Sequence, residues 1–167
     1  MQPSGVHELP SIRSLSLTLL VAAGSCSAAR MTDPLPIGDL QAAPVSVIVG
    51  GQTLVLVPSL WRDFQPVSPP DGKPLVAGLR VQAPDGAALS ATFHVDGAWV
   101  INGAEVWTAT VGEEKLASPS PVYYEVVARD GPKWGPNVSV DVVVRIREPS
   151  GSSQLLRAAA QLIRRTD

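Results

Sequence analysis

The stretch Ala91-Thr92-Phe93-His94-Val95-Asp96-Gly97-Ala98-Trp99-Val100-Ile101-Asn102-Gly103 decides the fold class. Ala91, Phe93, Val95, Gly97, Trp99 and Ile101 share one parity; Thr92, His94, Asp96, Ala98 and Val100 hold the other. Side chains alternate faces along a strand, so this pattern predicts β structure with one apolar face. The apolar parity runs through Asp96-Gly97, which predicts one long strand with a glycine inside it. Asn102-Gly103 is a strong hairpin signal. A two-residue loop there pairs Ile101 with Ala104, Trp99 with Val106 and Ala98 with Trp107. Trp99 is then expected in the core and Trp107 on the wetter face.

The same alternation extends in both directions. Val138, Val140, Val142, Val144 and Ile146 alternate with Ser139, Asp141, Val143, Arg145 and Arg147, the clearest strand in the chain. Leu75, Ala77, Leu79, Val81 and Ala83 form another, ended by Pro84-Asp85-Gly86. Gly50-Gly51 joins two short strands, and residues 122–129 make one more. Residues 58–74 and 130–137 are rich in proline and glycine and read as loops. Residues 159–167 are expected as a tail that continues as a short helix, with Leu155, Ala159, Leu162 and Ile163 at helical spacing. About eight strands with turn signals between them predict an all-β, antiparallel sandwich over residues 45–158. Tyr124-x-Val126-x-Ala128-Arg129-Asp130-Gly131 resembles the penultimate strand of fibronectin type III and other immunoglobulin-like domains. That resemblance implies a fold and carries no function.

The chain has 167 residues and a formal charge of -2, with 45 % hydrophobic and 17 % charged residues. This suits one folded domain without the basic excess of a nucleic-acid binder. A single cysteine, Cys26, rules out an internal disulfide. It follows the uncharged run 14–24, which has the length of a signal-peptide core and is too short to span a bilayer. Ala23-Gly24-Ser25-Cys26 resembles a bacterial lipobox, which implies a signal peptide over 1–25 and lipidation of Cys26. Residues 26–44 then serve as anchor site and Pro-rich tether, and the protein is exported to the periplasm or outer surface. Two other readings stay open. Cleavage after Ala29 gives a freely secreted chain, and a start at Met31 gives a cytoplasmic one.

Catalytic and cofactor motifs are not matched. His94 stands beside Asp96 on the polar parity and is read as a surface histidine. Zinc needs several Cys or His ligands, and calcium needs about 6–8 oxygens; three of the four Asp-Gly pairs sit where a turn is wanted and are explained as turns. No cofactor is expected, and no enzyme. Trp61 with Arg62, and Lys133 with Trp134, are the candidate binding residues, because aromatics beside cations in rigid loops are common anchors. Alternate loops of an antiparallel sheet share a pole, so loops 58–74, 102–103 and 130–137 are expected at one end. The leading functional reading is a non-enzymatic interaction module tethered to the membrane, with an unknown envelope protein or glycan as partner. The alternatives are a carbohydrate-binding module using Trp61, Trp107 or Trp134, and a loop-presenting protease inhibitor on an immunoglobulin-like scaffold, as in the chagasin-like family, whose motifs are not matched.

Overall fold

The computed structural model describes residues 34–113 and 120–167. Within them the all-β expectation holds. A short helix, α1 (Ile37–Gln41), precedes nine strands: β1 (Val47–Val49), β2 (Gln52–Asp63), β3 (Leu75–Gln82), β4 (His94–Asn102), β5 (Glu105–Ala109), β6 (Val111–Glu113), β7 (Tyr123–Gly131), β8 (Ser139–Arg147) and β9 (Ser153–Thr166). They form one nearly closed, barrel-like sheet in the order β5-β4-β8-β9-β2-β3-β7-β6, with β1 paired to β2.

Two corner strands bend the sheet round. β5 and β6 are separated by Thr110 alone, so one stretch of chain bonds first to β4 and then to β7. β9 pairs antiparallel with β8 along most of its length, and its end pairs with β2, Leu60 opposite Ile163. That second pairing is parallel, an exception to the antiparallel expectation. Leu54, Leu56, Leu60, Leu79, Val81, Val100, Val126, Val142, Val144, Ile146, Leu156 and Ile163 fill the interior.

Three expectations are corrected, and bulges account for two of them. The β4–β8 ladder runs Val95↔Ile146 and then Gly97↔Arg145, so Asp96 is an extra residue that flips the parity of β4. Val95 faces the main core, and beyond the bulge so do Ala98 and Val100, while Trp99 and Ile101 point to the outer face. Trp99 is nevertheless fully buried, at 0 % exposure, in a second cluster with Leu40, Ala43, Ile101 and Val143. Trp107, expected on the wet side, is partly buried against the main core. The hairpin register is offset as well: Asn102 pairs with Glu105 and Trp99 with Thr108, which puts Gly103-Ala104 at the tip.

In β9 the partner of Val140 is Gln161 and that of Val142 is Ala158, so Ala159 and Ala160 together stand opposite Asp141, one residue more than β8 supplies. This bulge turns what looks like helical spacing into a strand, and the tail is β9 rather than helix. Ala160 has φ 54, and its amide bonds to Asp141 Oδ1 at 2.8 Å. Glycine adopts that conformation without the Cβ conflict. Ala160→Gly is expected to stabilise the fold by up to about 1 kcal/mol, read as a higher urea midpoint at unchanged m.

The third correction concerns residues 34–44. They were expected as a tether, but they pack on the outer face of β4 and β8 through Leu40 and Ala43.

The bulged Asp96 is only 6 % exposed. Burial works against its charge, but Arg145 Nε at 2.6 Å and Arg147 Nε at 2.5 Å outweigh it and hold the carboxyl below its ordinary 3.8. A depressed folded pKa stabilises the fold above the unfolded value; the contribution is lost as pH falls through the folded one. Unfolding free energy should therefore decline below about pH 4, and Asp96→Asn should flatten that decline. At neutral pH the variant is expected to cost about 2–3 kcal/mol, less than a fully buried pair because Arg147 is about a third exposed. Urea melts across the acid range test both statements.

Candidate functional site

β2 does not end at Pro58. It continues to Asp63, with Leu60 and Arg62 on the inward parity. Proline is tolerated there because the pairing of β2 with β9 begins only at Leu60, two residues further on. Trp61 and Arg62 are therefore strand residues rather than loop residues, and they point to opposite faces.

Arg62 is 3 % exposed. Its guanidinium donates from Nε to the Lys73 carbonyl at 2.9 Å, and from one terminal nitrogen to the carbonyls of Lys133 at 3.0 Å and Gly135 at 2.7 Å. The other terminal nitrogen donates to the Asp71 carbonyl. A planar guanidinium with its donors fanned outward can serve four carbonyls at once; an ammonium has the wrong shape. Arg62 thus joins loop 64–74 to loop 132–138 from the inside. Its cation also lies 5.0 Å from the centre of the Phe64 ring, and Arg165 lies 4.2 Å from the same ring.

Loop 64–74 is braced from outside as well. Lys73 Nζ meets Asp63 Oδ2 at 2.8 Å, and Lys133 Nζ meets Asp71 Oδ2 at 2.6 Å. Those ammonium groups hold both carboxyls below the ordinary value. The Gln65 amide bonds to Asp63 Oδ1, the Ser68 amide closes a turn on the Gln65 carbonyl, and the Gly72 amide closes another on Pro69. Gly72 has φ 74, and a Cβ there would stand 2.6 Å from the Phe64 ring, so glycine is required on both counts. The exposed rim of this loop is apolar: Pro66, Val67, Pro69 and Pro70 face solvent, with Val67 at 86 % exposure.

The structure brings together loops 64–74 and 132–138. The tip of the β4–β5 hairpin stands at the same end, because Ile101 pairs with Asp141 near the start of β8. The two tryptophans are not displayed there. Trp134 packs against the main core, and Trp61 lies on the outer face of the sheet, its ring 3.6 Å from where a Cβ of Gly78 would be. Trp107 packs in the same close way on Gly131. Of the four residues expected to bind, Arg62 is a buried brace, Trp134 is partly buried packing, Trp61 faces elsewhere, and Lys133 remains exposed in a salt bridge. Sequence reasoning missed Phe64, Val67 and Arg165. The clustered prolines of 66–70 were the one visible signal of a presented loop.

His94 opens β4, and its Nε2 is buried with no hydrogen-bond partner. Asp96 does not orient it, since both carboxylate oxygens are taken by arginines. Among the described residues no group of three His, Cys, Asp or Glu side chains could hold a metal, and no helix is long and apolar enough to cross a membrane. Cys26, the leader and the alternative start at Met31 lie outside the described residues. The sequence matches no known family model, and no characterised protein or solved structure matches it.

Proposed function

We propose that the chain is a non-enzymatic interaction module that engages a protein partner through the rim of loop 64–74. The carrying observation is an apolar rim, Pro66 to Pro70, held outward on a loop whose backbone is fastened by the buried Arg62. A pre-ordered loop gives up little conformational freedom on binding, so the area of Val67 and its neighbouring prolines converts into affinity efficiently. Glycan binding is less favoured, because a sugar platform needs exposed aromatic planes: Trp107 and Trp134 turn inward, and Trp61, on the outer face, is half-buried. In the same proposal the module is exported and tethered to a membrane through lipidated Cys26, and its partner is an envelope protein.

A photo-crosslinking amino acid at position 67, used in intact cells of the source organism, should yield a discrete protein adduct. The same probe at position 53, on the outer face of β2, should not. Equal adducts at both positions, or none at 67, would refute the loop. Cys26→Ser should move the protein from the membrane to the soluble fraction; a wild type already soluble would refute the tether while leaving the loop standing.

A further inference from the structure

The segment before β1 is attached to the barrel in an unusual way. Of residues 34–43, Leu40 and Ala43 are buried, Leu35 and Ile37 are half-buried, and the others face solvent. The backbone bonds of α1 are local: the Asp39 and Leu40 amides donate to Pro36, Ala42 to Gly38 and Ala43 to Leu40. The tie to the barrel comes after them, where the Arg157 amide donates to the Pro44 carbonyl at 2.8 Å. Next come Val45 and Ser46, both exposed, and then β1. A helix of five residues is far below the length that holds itself together in water. It exists here because two side chains are seated on the sheet.

The surface beneath does not need the segment in order to stay folded. Trp99, Ile101 and Val143 form the covered patch. The strands that carry them, β4 and β8, are fixed from the opposite face by Ala98, Val100, Val142 and Val144 in the main core. They are also fixed edge to edge by their own ladder. Arg145, whose guanidinium lies 5.8 Å from the Trp99 ring, is independently held by Asp96. Ordering about ten residues offsets most of what seating Leu40 and Ala43, half-burying Leu35 and Ile37 and covering Trp99, Ile101 and Val143 return together.

We infer that residues 34–43 form a releasable strap, which opens as a unit from an intact barrel and uncovers an apolar patch centred on Trp99. The hinge is the exposed stretch 44–46, and the occupant of the patch in the closed state is the strap itself. Opening turns an arginine-flanked tryptophan face toward solvent without breaking a barrel strand. The inference does not depend on loop 64–74 or on lipidation.

Native-state hydrogen exchange with mass spectrometry on the unaltered protein tests it. The amides of Leu40, Ala42 and Ala43 should exchange at least about tenfold faster than those of β4 and β8, in a separate opening event. Exchange of strap and barrel amides in one shared step would overturn the inference. In Leu40→Ser the strap should lose its remaining protection while the β4 and β8 amides keep theirs. Loss of protection in both, with Leu40 altered, would make the segment an integral layer and overturn it too.

Discussion

Replacing Arg62 with leucine should be the most damaging single change, costing about 3–5 kcal/mol in a urea melt. Leucine fills part of the volume but leaves the carbonyls of Asp71, Lys73, Lys133 and Gly135 without their shared donor. Hydrogen bonds to charged groups contribute roughly 1.5–3 kcal/mol each, and water reaching the loop ends recovers part of the loss. The same change frees Phe64 on one side. Loops 64–74 and 132–138 should then separate, which hydrogen exchange would report as faster opening at Gly72 and Lys73. Arg62→Lys keeps the charge and should recover less than half of the stability, because one ammonium cannot fan out to four carbonyls. A lysine variant as stable as the wild type would show that charge, not geometry, secures the loops.

Trp99→Ala is expected to cost about 3–4 kcal/mol, near the lower end for a buried aromatic because its cover is a short segment that can settle inward. Trp107→Ala should cost less, about 1–2 kcal/mol, since Trp107 is only partly buried at the barrel wall. The ranking is the one that the alternating pattern suggests, for a different reason. Trp99 is buried on the outer face under Leu40 and Ala43, and Trp107 lies on the inner one. Paired melts of the two variants test it; a costlier Trp107→Ala would reverse the assignment.

Much of the fold could be read from period-two alternation. β8 follows its pattern from Val140 to Ile146 without a break, and β3 does the same from Leu75 to Val81. Alternation fails where a single extra residue enters a strand. Asp96 and the Ala159-Ala160 pair each shift the side chains that follow to the other face; Gly97 inside its strand is a local mark of the first bulge, and the run of alanines carries no such mark of the second. The functional end was half legible. Loop pairing across the sheet placed 58–74 beside 130–137, and the hydrogen bonds from Arg62 bear out that neighbourhood. The roles inside it were not legible. Pro58 suggested a loop, although the strand runs five residues beyond it, and that extension is what turns Arg62 inward and Trp61 outward.

The parallel pairing of β9 with β2 joins residues about a hundred positions apart, Leu60 with Ile163. Contacts at such separation form late, because the entropy of closing the long loop must be met before they contribute. Until residues 163–166 have been synthesised, β2 has only β1 and β3 beside it and the wall stays open. The wall therefore stays unlocked until that pairing forms. A late-locking barrel gains its stability abruptly, when the end of β9 reaches β2.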